Sequence, residues 1–332
     1  MCEWRAPALA AALLALAACA APPPPAPAGP PPEATSLLGD ALYSPPVDPA
    51  QNAELQQGLA DALARLQATP TDKDALIEYG RRLSSVNRFA DAVATFTLGL
   101  QRWPDDVKLL RFRGHRYITL RKFDLAIADL QRAAELMADQ PDEVEPTVPP
   151  NALGIDLDTL HENVWYHLAL AHFLCGEFET ALDTWEQGLP TLVNDDGRAM
   201  FAYWIAAAAG RAALEARQRG DMKAAAGFRL RAAKALAVLD PGLIVEEYTS
   251  YLNLASAWKG QQSAIGLYRD ARHDGQNSVD FATVGYGVAN WYLCRNDTER
   301  ARTILEEVCR GAAWQAFGHI AAEADLARML AR

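Results

Sequence analysis

The sequence predicts an all-α solenoid built of helical hairpins, and three observations lead there. From Ala50 onward apolar residues recur at helical spacing, and nothing alternates with period two for long. Small residues recur in pairs twelve apart, Gly80 with Ala92 and Gly114 with Ala126, and the two pairs are offset by 34 residues. Of the 332 residues 50% are hydrophobic and 22% charged, enough to bury a core and to exclude wholesale disorder.

The first element is an export signal, residues 1–18. Arg5, partly offset by Glu3, precedes an apolar run from Ala8 to Ala18. That run is too short for a bilayer core, which needs about 20 apolar residues, and a small-residue boundary follows it. Leu16-Ala17-Ala18-Cys19 resembles the bacterial lipobox. The resemblance implies a diacylglyceryl group on the Cys19 sulfur, cleavage before Cys19, acylation of the new amine and stable membrane anchoring. Residues 19–49 then read as lipidated cysteine and tether, since the prolines over 20–48 favour extended polyproline II at about 3.1 Å per residue. By similarity to enterobacterial lipoproteins, Ala20 after the cysteine points to the outer membrane, facing the periplasm.

Residues 50–332 form the expected folded body. Leu55, Leu59, Leu63 and Leu66 mark a first amphipathic helix. The spacing of twelve returns in Ala169 with Ala181 and Ala289 with Ala301, and the second helix of each hairpin repeats an apolar pattern: Phe89-Ala92-Phe96, Phe123-Ala126-Leu130, Phe178-Ala181-Trp185. Two antiparallel helices cross closely where small residues face each other, and aromatics fill the wedge beside them. At Trp165, Leu168, Ala169, His172, Ala181 and Trp185, and at Gly80, Ala92, Phe96 and Pro104, the chain resembles the tetratricopeptide repeat. That resemblance implies a right-handed superhelical solenoid over residues 50–332. Between Ala126 and Ala181 the interval is 55 rather than 34, so an acidic, Pro-rich insertion is placed at 139–158. Residues 195–275 carry only an echo of the pattern (Gly220, Met222, Ala225, Ala232, with Arg229 where an aromatic belongs), equally consistent with generic hairpins. Residues 313–330, with Trp314, Phe317, Ile320, Ala321, Ala324 and Ala327, read as an amphipathic capping helix.

No catalytic signature emerges: G-x-S-x-G, H-E-x-x-H and the phosphate-loop lysine motif are all missing from the sequence. His161, His167 and His172 are spaced by six and five, and only the outer two share a helix face, about 16 Å apart, too far for one metal. Gly285-Tyr286-Gly287 lacks both the preceding strand and the third glycine of a dinucleotide loop, and reads as close helix packing. Cys175, Cys294 and Cys309 read as free thiols. The expectation is a non-catalytic protein without cofactor or metal.

Net charge −11 and a pI near 5.1 argue against nucleic acid as a partner. One block runs against that trend: between Arg102 and Arg132 eight basic residues face four acids, while 133–158 holds seven acids and no base. In tetratricopeptide proteins the first helices line a concave groove, which by resemblance implies partner-binding roles for Arg81, Arg111, His115, Tyr166, Tyr286 and Asn290, with Lys108 on the same helical face as Arg111. Ile77 and Leu170 occupy equivalent positions. The leading expectation is an envelope scaffold or adaptor binding a protein or peptide segment, with acidic character favoured by this block. Two alternatives stand beside it: a receptor for a small molecule or glycan in the same groove, and a basic stripe merely covered by the chain's own acidic insertion around Asp142, Glu143 and Glu145.

Overall fold

A computed structural model describes residues 31–45, 49–147, 154–239 and 242–331. The expected signal peptide, Cys19 and residues 20–30 of the tether lie outside the described residues. Pro32–Arg332 form a single compact unit.

The all-α prediction is borne out, as an array of helical hairpins. The helices are α1 (Pro49–Ala68), α2 (Lys73–Ser85), α3 (Phe89–Arg102), α4 (Val107–Thr119), α5 (Phe123–Met137), α6 (Leu160–Cys175) and α7 (Phe178–Gly188). They continue with α8 (Asp195–Gln218), α9 (Met222–Ala237), α10 (Thr249–Trp258), α11 (Ala264–Gly275), α12 (Val279–Leu293), α13 (Thr298–Cys309) and α14 (Phe317–Leu330). Pairs α2/α3, α4/α5, α6/α7, α8/α9 and α12/α13 pack as antiparallel hairpins, and α10 leans on α8 more than on α11.

Local chemistry sets each hairpin. First helices start on a side-chain cap that accepts from backbone amides: Asp72, Asp106, Thr159, Asn194 and Ser278. The turn into the second helix then needs a left-handed residue, supplied by Asn87, Arg121, Gly176, Gly220, Gly260 and Asn296. The recurrence of that turn through Gly220 and Gly260 makes the middle of the chain part of the same hairpin series.

The packing differs in detail from the expected meeting of small residues. Gly80 receives the Phe96 ring and Gly114 receives Leu130, whose Cγ would lie 2.7 Å from a Cβ there, so a large side chain one turn beyond Ala92 or Ala126 fills the notch. Ala92, Ala126, Ala169, Ala181, Ala289 and Ala301 are fully buried beside these contacts. In α9 the aromatic sits at Phe228, buried, while Arg229 is exposed.

Two elements depart from expectation. Residues 33–44, assigned above to the tether, form a small hairpin in which β1 (Ala34–Thr35) pairs antiparallel with β2 (Ala41–Leu42). The sequence here has no proline; Ser36 Oγ accepts from the amides of Leu38 and Asp40, and Gly39 takes φ +97° at the turn. The hairpin is sewn to both ends of the array. Glu33 accepts from the Ala90 amide at 3.1 Å, and Trp314 Nε1 donates to the Tyr43 carbonyl at 2.6 Å. The last helix, α14, begins at Phe317 rather than 313 and is buried nearly all round from Gly318 to Leu326, so it is no amphipathic cap. It packs on α12 and α13 and also reaches α6. Glu323 on α14 accepts from Arg121 Nε at 3.0 Å and from the Leu37 amide at 3.1 Å. The C-terminal helix therefore returns to the α4–α5 turn, and the array closes on itself.

Candidate functional site

Closure decides what happens to the expected groove. Phe317 at the start of α14 lies 6.0 Å from the Tyr166 ring, 5.4 Å from His167 and 5.2 Å from His115. Two turns further along α14, Asp325 Oδ2 accepts from the Tyr286 hydroxyl at 3.1 Å, and Arg211 bonds both Asp325 and Asn290. Tyr166, Tyr286 and Asn290 are 4%, 1% and 0% exposed. These three are corrected as groove residues: the chain's own last helix stands where a ligand was expected. Leu170 and Ile77 are likewise buried. With its aromatic floor covered, the receptor reading built on Tyr166, Tyr286 and Asn290 loses its site.

The basic block remains, and the structure brings Arg81, Lys108, Arg111 and His115 together on α2 and α4. The insertion crosses over them as an extended strap. Its backbone is held by a bridge between Val144 and Thr159, by Glu145 N–H donating to the Asp158 carbonyl at 3.0 Å and by Leu160 N–H donating to that of Glu143 at 2.8 Å. Two carboxylates point down from it. Glu143 pairs with Lys108 at 2.8 Å, and Glu145 with Arg111 at 2.8 Å. Asn163 on α6 donates to Glu145 at 2.7 Å, and Arg81 donates to the Pro146 carbonyl. The Glu145–Arg111 pair is buried on both sides, whereas Lys108 and Glu143 are half-exposed. The face is therefore not an open groove but one occupied by the chain's own acidic insertion.

Phe112 organises the arginines. Arg81 lies 5.0 Å and Arg111 4.5 Å from its ring centroid, and the ring stacks on Phe96 at 5.8 Å. Burial, reinforced by Arg111, holds the Arg81 guanidinium below its usual value, and burial pushes the Glu145 carboxyl up in spite of Arg111. His115 Nδ1 faces Arg111 Nη1 at 3.3 Å, and its ring lies 4.2 Å from His167. Burial first, then neighbouring arginines, keep both histidines well below the ordinary 6.5, so both are neutral near pH 7.

Nucleophile chemistry finds no support here. The thiols of Cys175, Cys294 and Cys309 are pushed up to about 11, 12 and 12 by burial, the direction that quenches a thiolate. Among the described residues no group of three His, Cys, Asp or Glu side chains is placed to hold a metal ion.

Sequence reasoning missed Arg116, which joins this cluster from the next turn of α4, and it missed α14 as the groove's occupant. Glu323 and Asp325 carried the signal for the latter, since two acids inside an alanine-rich helix that is buried require basic partners, here Arg121 and Arg211 from elsewhere in the chain.

No protein-family model matches the chain, and no curated protein matches it. Among solved structures it is similar to MamA AMB-1, at 21% identity over 56% of this chain and 92% of that one, with a TM-score of 0.37. It is also similar to the APC/C hetero-tetramer Cut9–Hcn1 (14% identity, 85% of this chain, 47% of that one, TM-score 0.43). A third is YrrB, described as a TPR protein with an unusual peptide-binding site (13% identity, 80% of this chain, 97% of that one, TM-score 0.40). At these identities and scores the likeness carries no argument about function.

Proposed function

We propose that the protein is a non-catalytic scaffold of the bacterial envelope, lipid-anchored through Cys19, whose basic face on α2 and α4 receives an acidic segment of a protein partner. The strap carries this reading. An extended Glu143-Val144-Glu145-Pro146 stretch already satisfies Lys108 and Arg111 through two carboxylates two residues apart, and so acts as an internal template for the incoming segment. Charge-assisted hydrogen bonds in a partly desolvated setting are the strong kind, which makes the strap a competitor that a better complement displaces. Ala20 beside Cys19, by resemblance to enterobacterial lipoproteins, supports an outer-membrane setting.

Affinity capture from detergent-solubilised envelopes tests the reading. Deleting residues 141–150 exposes the face and strengthens capture of the partner. Lys108→Glu with Arg111→Glu abolishes capture while the far-UV helical signal stays unchanged. Unaltered capture in both variants would mean that the basic face serves only to hold its own strap. For the anchor, the wild type partitions into detergent and Cys19→Ala does not; identical partitioning overturns it.

A further inference from the structure

Beneath the strap lies a cleft of about 250 Å³ in which, among the described residues, basic side chains outnumber acidic ones. Three guanidiniums line it: Arg81 from α2, and Arg111 and Arg116 from α4. Two carboxylates also line it, and both are engaged, Glu145 by Arg111 at 2.8 Å and Asn163 at 2.7 Å, Asp158 by the Tyr248 hydroxyl at 2.9 Å. Among the described residues Arg81 has no closer ion-pair partner than Glu78, at 3.9 Å, and it donates a hydrogen bond to the neutral Pro146 carbonyl. Among the described residues Arg116 has no ion-pair partner; it lies over the Phe89 ring, 5.3 Å from the centroid. Burial first, and Arg111 second, pull its guanidinium down to about 9, the mark of a cation held near another cation without a counter-ion. Neutral His115 completes the wall and adds no negative charge.

A half-buried arginine costs stability unless an anion meets it. Two such forks reach the same cleft from different helices. A carboxylate offers one edge of two oxygens, suited to one fork. A phosphoryl group carries its charge on three or four tetrahedrally arranged oxygens and bridges forks that arrive from different directions. We infer that the Arg81–Arg111–Arg116 cleft is a binding site for a phosphoryl oxyanion, either free phosphate or a phosphate ester. The site is complete with the strap in place, so the inference does not rest on partner capture.

Thermal melts of the full-length chain test it, with inorganic phosphate titrated at constant ionic strength against chloride. Phosphate is expected to raise the melting temperature saturably. In Arg116→Met the midpoint concentration shifts at least tenfold upward, while the phosphate-free variant melts at or above wild type, because an uncompensated charge is gone. Arg81→Met, read in the same way, covers the case in which Arg116→Met fails to fold. Lys108→Met lies outside the cleft and keeps the phosphate response although it weakens partner capture, so the two proposals fail separately. Glycerol phosphate in place of phosphate separates the ester from the free ion as the preferred ligand. No saturable rise in wild type, the same midpoint in Arg116→Met, or an equal response to acetate overturns the phosphoryl assignment.

Discussion

A single carboxylate, that of Glu162, shows how burial turns into pH dependence. Thr159 caps α6 by accepting from the Glu162 amide, the first half of a capping box, but the Glu162 carboxylate does not return the bond. It is 1% exposed, and among the described residues neither oxygen has a hydrogen-bond partner. Burial first, then Asp158, Asp142 and Asp196, push it up from 4.5 to about 8. Between those values the folded chain holds a proton that the unfolded chain has lost, so stability falls as pH rises from 4.5 to 8 and levels off above. Glu162→Gln removes the effect and is expected to melt higher than wild type at pH 9, by on the order of a few kcal/mol, yet match it at pH 5. An equal difference at both pH values would contradict the assignment. Residue identity made this kind of fact only half legible. Lys108 and Arg111 could be placed on a common helical face by spacing alone, because they share one helix. That Tyr166, Tyr286 and Asn290 are covered depends on a helix more than 25 residues farther along the chain than Asn290, which no local pattern encodes.

At the scale of helices, the sequence was most informative where a notch and its filler recur. Gly80 with Phe96 and Gly114 with Leu130 are each sixteen residues apart, an interval fixed by two helices and one tight turn. Ala126 lies fully buried one turn before Leu130, so Ala126→Leu forces a side chain into a filled contact. The expected cost is about 1–3 kcal/mol, read as a lowered melting temperature, with exposed Gln101→Leu changing little. Indistinguishable melts for these two variants would falsify the hairpin packing. The α8/α9 pair was faint in the sequence because its aromatic, Phe228, sits three residues after Ala225 instead of four, and because α8 runs for 24 residues. The 33–44 hairpin was masked by its prolines on either side. Its order comes from Ser36, Gly39 and a docking partner 271 residues away, not from strand-like alternation.

For the whole molecule the seam is decisive. Phe89, Leu120 and Trp314 form a small apolar cluster where the first hairpins meet the chain's end. Beside it Arg121, at φ +60°, pairs with Glu323, both almost fully buried. Left-handed backbone at an arginine is unfavourable, and the pair with Glu323 repays it. His319 reaches the same carboxylate at 3.1 Å. Glu323→Ala leaves Arg121 buried without its anion, a loss typically of about 3–5 kcal/mol. The amides of residues 33–44 should then exchange with solvent faster than those of α8, whereas uniform loss of protection would place the seam inside one cooperative unit. A repeat pattern describes neighbours, so the sequence foresaw stacking but not closure.

Closure also fixes how this body bears a load. In an open stack held by its N-terminus, tension enters the first hairpin and peels the repeats away in order, one interface at a time. Here a pull applied at Pro32 passes into the 33–44 hairpin, which is bonded at once to α3 through Glu33 and to the C-terminal end through Leu37 and Tyr43. Helices α3 and α14 resist together, in shear and not in sequence. Pulled from its N-terminal side, this body is a buckled hoop instead of a spring, and is expected to yield at one force instead of many.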